Sequence, residues 1–186
     1  MTELIVTAAL DPSLGVGQGA DYKAMVTVGL NWKTMTIYVL DAWIRRASLD
    51  QMIAAAYHRH EQYGWRLFGV ETNLFQKLLI REFRRAEQER KQFLPLREVE
   101  NRLAKETRIS GLSPLVERGL LRFRRGHSDQ DLLVEQLLYF PSKSVHDDGP
   151  DALEMAVRLL HEISLPGAQA YESLGKRRWG EARGGF

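Results

Sequence analysis

Three apolar, β-branched runs follow one another at the start of the chain, and this succession constrains the fold more than any other feature. The runs cover Leu4–Leu10, Tyr22–Leu30 and Thr34–Ile44. A glycine-containing turn separates the first two runs, and Asn31-Trp32-Lys33 separates the second from the third. Successive strands that are joined by short turns form antiparallel meanders. The sequence therefore predicts a sheet whose first three strands are antiparallel.

Helical and strand patterns alternate after this meander. Apolar residues at helical spacing predict helices over Ser48–Tyr63, Asn73–Lys91, Lys105–Arg118 (with a break near Gly111–Pro114), Asp129–Phe140 and Pro150–Ile163. Further short strands are expected over Trp65–Val70, Phe93–Val99 and Leu120–Phe123. A meander that feeds strand–helix–strand units implies an α/β fold with a mixed sheet and helices on both faces. We expect five strands or slightly more.

Length and composition favour one domain without thiol chemistry. The 186 residues suit a single domain over 1–163, followed by a basic, Gly-rich tail over 164–186 that we expect to be flexible. The absence of cysteine excludes disulfides, thiolate catalysis and cysteine zinc sites. Any metal must therefore be bound by oxygen atoms or by histidine, and oxygen ligands favour Mg²⁺ or Mn²⁺.

The sequence shows neither an apolar run of the ~20 residues that would span a membrane nor a signal-peptide pattern. We therefore expect a cytoplasmic protein without a membrane partner.

The charge is unevenly distributed along the chain. Residues 76–126 carry 14 Lys and Arg against 7 Glu, whereas both flanking segments are acidic, so the basic middle suits a polyanion surface beside a carboxylate site. The candidate contacts to a nucleic-acid backbone are Arg81, Arg84, Arg85, Lys105, Arg108, Arg122, Arg124 and Arg125. Such contacts give salt-dependent binding without sequence preference. A solvated helix face is the alternative for each of them.

Acidic residues stand at three places where chemistry can be expected. Asp11 ends the first strand, Glu71 ends the fourth, and Asp147, Asp148 and Asp151 cluster at the start of the last helix. Ligands of α/β sheets bind outside the carboxyl ends of strands, so Asp11 and Glu71 lie side by side if their strands are neighbours. Converging carboxylates repel one another unless a cation joins them. Each position alone has a structural alternative, as a turn opener, a helix cap or a partner of the helix dipole.

Four motifs in the chain follow a recognisable order. They are Leu10-Asp11-Pro12-Ser13 with Asp21-Tyr22-Lys23-Ala24; Gly69-Val70-Glu71-Thr72-Asn73; Lys105-Glu106-Thr107-Arg108-Ile109 with Leu112-Ser113-Pro114 and Gly119; and Phe140-Pro141 with His146-Asp147-Asp148-Gly149-Pro150-Asp151-Ala152-Leu153. Together they resemble the nuclease domain of the large terminase subunit of tailed phages and prophages. The resemblance covers roughly residues 4–162.

The resemblance implies a ribonuclease H-like endonuclease that cuts concatemeric viral double-stranded DNA during packaging. It implies a two-ion Mg²⁺ or Mn²⁺ site held by Asp11, Glu71 and one or both of Asp147 and Asp148. Of these two aspartates we favour Asp148, and Asp151 is a further candidate ligand. The implied partners are the terminase ATPase domain, the small terminase subunit and the portal. The chain lacks the GxxxxGK[ST] loop that an ATPase motor needs, so it is an excised domain or a stand-alone nuclease, and translocation is not expected of it.

We expect specific roles for three further groups of residues. His146 can orient a carboxylate or contact the scissile phosphate, or it can be an exposed loop residue. Lys105 and Arg108 lie one helical turn apart and can bind a phosphate. Trp32, Trp43 and Trp65 are expected to pack in the core or at an edge.

Two alternative functions remain open at this stage. One is a Holliday-junction resolvase or transposase-like nuclease of the same fold. The other is a non-catalytic DNA-binding assembly module whose carboxylates are structural.

Overall fold

The computed structural model describes residues 4–12, 22–71, 76–142 and 146–164. In chain order the elements are β1 Ile5–Asp11, β2 Tyr22–Asn31, β3 Thr36–Arg46, α1 Leu49–Tyr63, β4 Leu67–Glu71, α2 Gln76–Arg90, β5 Leu96–Val99, α3 Lys105–Ser110, α4 Ser113–Glu117, β6 Leu121–Arg122, α5 Ser128–Tyr139 and α6 Asp148–Ser164. Within these ranges, no helix is both long enough and apolar enough to cross a membrane. The glycines of the first predicted turn, and the predicted tail beyond Ser164, lie outside the described residues.

The strands form one sheet in the order β5-β4-β1-β2-β3-β6. Strands β1, β2 and β3 pair antiparallel, as predicted, while β1 with β4, β4 with β5 and β3 with β6 pair parallel. The predicted mixed sheet with an antiparallel start is confirmed, and it has six strands. The predicted break in the helical segment after Lys105 is also confirmed, because α3 ends at Ser110 and α4 begins at Ser113.

One face of the sheet packs against α1 and α2 through aromatic side chains. Trp43, Tyr57, Trp65, Phe68 and Phe83 are all buried there. The rings of Trp65 and Phe68 stack with centroids 4.8 Å apart, and Phe68 meets Phe83 edge-on at 5.7 Å. Stacked and edge-to-face rings of this kind add stability beyond the apolar area that they bury. This face is an apolar core.

Three large apolar residues, Trp32, Leu78 and Leu138, are exposed. Trp32 is 57% exposed because it lies in the turn between β2 and β3, so its predicted core or edge packing is wrong, whereas Trp43 and Trp65 are buried as predicted. Leu78 and Leu138 lie within two of the predicted helices, and they are 60% and 76% exposed. Both lie next to apolar residues in their helices, and only those residues that point toward the sheet become buried.

The opposite face packs against α5 and α6, and α6 approaches the sheet closely. A Cβ atom at Gly69 of β4 would lie 2.7 Å from a methyl of Leu159, so glycine lets the helix and the strand approach. The Thr7 hydroxyl of β1 donates a buried hydrogen bond to the carbonyl of Ala156 at 2.8 Å. Helix α6 therefore runs along β1 and β4 in the opposite direction, and its first turn reaches the carboxyl ends of these strands.

The start of α6 is held by a second close approach. The Gly149 amide donates to the side-chain oxygen of Gln136 in α5 at 3.2 Å, and a Cβ atom at Gly149 would collide with that oxygen. The helix begins at Asp148, two residues before the predicted start at Pro150. Both Asp148 and Asp151 consequently belong to its first turn.

Candidate metal centre

The register of β1 and β4 brings two acidic residues to one sheet edge. The strands are parallel neighbours, and Leu10 pairs with Val70. Asp11 and Glu71 are the next residues of the two strands and end them. Gly69, two residues before Glu71, faces α6. Because side chains alternate along a strand, the side chains of Glu71 and of its neighbour Asp11 point to the same face. The predicted proximity of the two strand ends is confirmed.

Helix α6 adds a third carboxylate at the same edge. Oxygen atoms of Asp11, Glu71 and Asp151 all lie within 4.8 Å of one another, and we call these three residues the carboxylate cluster. Asp11 is 4% exposed and Asp151 is 0% exposed, while Glu71 is half-buried. Three carboxylates so close together, with two of them buried, repel one another strongly in a medium of low polarity.

The cluster matches the ligand preference of a hard divalent cation. Asp151 Oδ1 accepts a hydrogen bond from Arg108, whereas the buried Oδ2 makes no hydrogen bond among the described residues and faces the Lys105 ammonium at 3.2 Å. Mg²⁺ and Mn²⁺ bind carboxylate oxygens that converge from separate elements. The arrangement can therefore bind such an ion, with Asp11, Glu71 and Asp151 as the residues that would hold it.

Lys105 of α3 lies among the acidic side chains. Its ammonium nitrogen is 2.9 Å from Asp147 Oδ1, 3.2 Å from Asp151 Oδ2 and 3.9 Å from Asp11 Oδ2. Burial by itself would lower the pKa of Lys105, but the charges of Asp11, Asp151 and Asp147 raise it above its ordinary value. Lys105 is thus a counter-charge for the cluster. Its predicted role toward phosphate stays a prediction.

Arg108 has a similar setting. Burial opposes its charge, but Asp151 and Glu154 raise the pKa of Arg108, and its side chain is only 5% exposed. Its guanidinium is directed to carboxylates of α6, with Nη1 2.9 Å from Glu154 Oε2. In this arrangement it is a structural partner of the cluster, and a direct contact with phosphate remains untested.

The three aspartates at the start of α6 have different contacts. We favoured Asp148 as a metal ligand, but the group of described carboxylates that converges on one point contains Asp151 and neither Asp147 nor Asp148. Asp148 Oδ2 is 3.9 Å from His146 Nδ1, and Asp147 contacts Lys105 at the half-buried rim. Asp148 and Asp151 lie about one helical turn apart, and of the two it is Asp151 that joins Asp11 and Glu71.

His146 lies on the rim rather than within the cluster. Its side chain is 61% exposed, and its ring centroid is 4.6 Å from that of Tyr22. The expected orientation of a carboxylate is visible only as the 3.9 Å approach to Asp148.

Three residues that were not predicted from the sequence contact the site or its partners. Asn101, in the segment after β5, donates to Glu71 Oε1 at 2.8 Å. Arg158 donates to Asn101 Oδ1 at 2.6 Å and lies 3.3 Å from Glu154. Helical spacing could have found Glu154 and Arg158, since they follow Asp151 by three and seven residues on the same side of α6. Asn101 carries no such signal.

The predicted arginine contacts other than Arg108 lie away from the cluster. Leu121 of β6 pairs with Ile37, which lies in register with Ile5 across β2. Ile5 precedes Asp11 by six residues, or about 20 Å along the strand. That end of the sheet carries the exposed Arg122, Arg124 and Arg125. Three more exposed arginines, Arg81, Arg84 and Arg85, lie on α2, which packs against the other face. Their DNA contacts stay a prediction.

The exposed basic residues at the end of β3 are nearer to the cluster. In the sheet, Asp11 of β1 is paired with Ala24 of β2, and Tyr22, two residues before Ala24, is paired with Arg46 of β3. The Arg46 guanidinium lies over the Tyr22 ring, 5.4 Å from its centroid. Arg45 pairs with Asp129 at 2.5 Å and remains about half exposed. Sequence analysis did not single out either arginine.

No protein-family model matches the chain, and no curated protein matches its sequence. Solved structures show what the fold is. The chain is similar to the human cytomegalovirus terminase nuclease domain, with a TM-score of 0.64 and 16% identity over 85% of each chain. It is also similar to the P22 large terminase nuclease domain, with a TM-score of 0.60 and 14% identity over 85% of this chain and 83% of that one.

A third similar structure is the nuclease domain of the bacteriophage SPP1 large terminase with bound Mn, with a TM-score of 0.52 and 15% identity over 86% of each chain. At these identities the shared property is the fold. The chain therefore has the ribonuclease H-like fold of terminase nuclease domains, as its motifs predicted.

Proposed function

We propose that this chain is a divalent-metal-dependent endodeoxyribonuclease that cleaves concatemeric viral double-stranded DNA during genome packaging. The observation that carries the proposal is the carboxylate cluster, whose oxygens lie within 4.8 Å of one another at the carboxyl ends of β1 and β4. The fold in which this cluster occurs is that of terminase nuclease domains, which supports the same chemistry here.

In this proposal Asp11, Glu71 and Asp151 hold Mg²⁺ or Mn²⁺, and the bound Mn of the SPP1 domain supports that choice of ion. When bound, a pair of such ions activates water and stabilises the charge on the leaving oxygen of a phosphodiester. Asp147, half-buried at the rim and 2.9 Å from Lys105, is the further carboxylate that we propose for a second ion, which would replace Lys105 as its partner. The protein contributes the fixed positions of its oxygens and the partial exclusion of water at two buried aspartates.

The DNA duplex is proposed to approach the sheet edge at the end of β1 and β4. Arg46 is exposed at this edge, and Lys105 is partly exposed beside the cluster, so both can meet backbone phosphates. The nuclease domain is proposed to span 1–163 and to act in the host cytoplasm with a terminase ATPase domain, the small subunit and the portal. These partners are supported by the fold similarity.

The test is plasmid cleavage in Mg²⁺, in Mn²⁺ and in EDTA. Cleavage by the wild type should need the metal, and Asp11→Asn, Glu71→Gln and Asp151→Asn should each reduce it to background while the protein stays folded. Glu162→Gln is the matched control, because Glu162 is on α6 and forms an exposed ion pair with Arg97. Asp148→Asn should retain more cleavage than Asp151→Asn.

Three outcomes would contradict the proposal in different ways. Wild-type cleavage rates in all three cluster variants would exclude the cluster as the catalytic centre. Retardation of DNA without cleavage in Mn²⁺ would indicate a non-catalytic binding module. Strong preference for a four-way junction over a linear duplex would indicate a resolvase.

A further inference from the structure

Two members of the carboxylate cluster are joined through hydrogen bonds that lead away from the cluster itself. Glu71 Oε1 accepts a hydrogen bond from Asn101 Nδ2 at 2.8 Å. The other end of the same amide, Asn101 Oδ1, accepts from Arg158 Nη2 at 2.6 Å. A residue of β4 is thereby connected to the middle of α6 through a side chain that belongs to neither element.

The connection continues from Arg158 back to the first turns of α6. Arg158 Nε is 3.3 Å from Glu154 Oε1, and Glu154 Oε2 accepts from Arg108 Nη1 at 2.9 Å. The same Nη1 donates to Asp151 Oδ1. A continuous path therefore runs from Glu71 to Asp151, and we call its four intermediate residues, Asn101, Arg158, Glu154 and Arg108, the linking network.

Most of the linking network is shielded from water. The side chain of Arg108 is 5% exposed, that of Glu154 is 11% exposed, and that of Arg158 is 33% exposed. Charge-assisted hydrogen bonds in such surroundings are stronger and more directional than exposed ones. The guanidinium and amide groups each contact two partners and so hold their directions.

The hydrogen bonds also select which oxygens remain available to a cation. The network donates to Oδ1 of Asp151, whereas Oδ2 makes no hydrogen bond among the described residues and faces the positive charge of Lys105 at 3.2 Å, the place of a cation. Orienting a ligand through its outer oxygen is how residues behind a metal site fix ligand direction. A network that served packing alone would have no need to end on two members of the same cluster.

We propose that the linking network positions Glu71 and Asp151 for one divalent cation and couples them, so that a change at one end alters metal binding at both. Asn101, Glu154 and Arg158 are accordingly positioning residues. This inference rests on the proposed function, because it assumes that the carboxylate cluster binds the metal. It extends that function by naming the residues that set the affinity.

The test is calorimetric titration of the whole chain with MnCl₂, without DNA. Arg158→Ala is the decisive variant, since Arg158 contacts Asn101 and Glu154 and is not in direct contact with the carboxylate cluster. Asn101→Ala and Arg158→Ala should each weaken Mn²⁺ binding by about tenfold. The double variant should be no weaker than the weaker single variant, because both changes interrupt the same path.

Matched controls separate positioning from general loss of structure. Gln92→Ala removes an amide that donates to Glu61 at 2.9 Å, and Arg97→Ala removes an arginine paired with Glu162. Both controls should bind Mn²⁺ as the wild type does. Urea denaturation without metal reports on folding, and Arg158→Lys, which keeps the charge, should bind Mn²⁺ with intermediate affinity even if Arg158→Ala is unfolded.

The outcomes distinguish this inference from the proposed function. If Asp11→Asn abolishes Mn²⁺ binding but the Asn101 and Arg158 variants stay within about twofold of the wild type, the linking network is structural and only the inference is overturned. Additive losses in the double variant would overturn the coupling. If Asp11→Asn binds Mn²⁺ as the wild type does, the metal centre itself is wrong and the inference falls with it.

Discussion

Both faces of the sheet bury an apolar core, and they differ most at the carboxyl ends of β1 and β4. The α1/α2 face packs aromatic rings such as Phe68 and Phe83, and both are fully buried. The α6 side is apolar over most of its area as well, but near the ends of β1 and β4 it also buries charged groups. The whole-residue exposure is below 10% for each of Asp11, Arg108, Asp148, Asp151 and Glu154. Apolar burial stabilises the fold, whereas buried like charges oppose it unless counter-charges or a cation compensate.

The two faces therefore contribute differently to the free energy of unfolding. The aromatic face supplies stability that does not depend on the metal. On the α6 side, the repulsion between neighbouring carboxylates lowers the stability, and the charges of Lys105 and Arg108 offset part of this loss. Metal should therefore change the energetics of one face and leave the other unaffected, and the following predictions test that contrast from the largest expected effect to the smallest.

Replacement of Phe83 by Ala should be the most destabilising change. The side chain is fully buried against Phe68, and such a truncation costs about 3–5 kcal/mol of unfolding free energy. Urea denaturation with and without MnCl₂ measures it. The increment that Mn²⁺ adds should equal that of the wild type. A smaller increment would mean that the two faces are not independent.

Arg108→Met should cost about 3 kcal/mol, because it leaves Asp151 and Glu154 without their buried partner. Unlike the loss at Phe83, part of this loss should be recovered by MnCl₂, since a cation restores positive charge next to Asp151. The same denaturation series provides the comparison. Equal losses with and without the metal would contradict the proposed role of charge on the α6 side.

Addition of MnCl₂ should raise the unfolding free energy of the wild type by about 2.7 kcal/mol at one hundred times its Kd. The folded cluster binds the ion, and the unfolded chain has no preformed cluster. EDTA should reverse the effect, and Asp11→Asn should remove it. Stabilisation that persists in Asp11→Asn would place the ion somewhere else.

Lys105→Met should strengthen Mn²⁺ binding by about tenfold, since the ammonium is 3.2 Å from Asp151 Oδ2 and competes with a cation for the same negative charge. Without metal the variant should be less stable, because the carboxylates raise the pKa of Lys105 and so favour its charged form. Lys33→Met, in the exposed turn after β2, is the control. Weaker Mn²⁺ binding would show that Lys105 assists the metal.

The smallest effect is expected on the aromatic face, at His60. Burial lowers the pKa of His60, whose ring lies beside Trp65 at 5.7 Å. In the unfolded chain the His60 ring takes up a proton near pH 6.5, whereas in the folded protein it is still neutral at that pH. The free energy of unfolding therefore falls as the pH drops below about 6.5. Denaturation at pH 7.5 and 5.5 should show this slope, reduced in His60→Gln and unchanged by MnCl₂.

The sequence determined the elements, and all three residues of the carboxylate cluster were among the candidate ligands that it indicated. Strand and helix periodicities are set by neighbouring residues, so the meander, the helices and the broken segment after Lys105 were predictable. Asp11 and Glu71 followed from one general rule, that ligands gather at the carboxyl ends of parallel strands. The ribonuclease H-like fold was likewise predictable, because four motifs in order preserve its pattern.

Tertiary structure decided the rest of the site. That Asp151 rather than Asp148 converges with Asp11 and Glu71 depends on how α6 packs on the sheet, with close approaches at Gly69 and Gly149. Asn101 reaches Glu71 across 30 positions of the chain, so no local pattern announces it. Local periodicity depends on near neighbours, whereas the rotation of a helix and the bonds between elements depend on the packing of the whole domain.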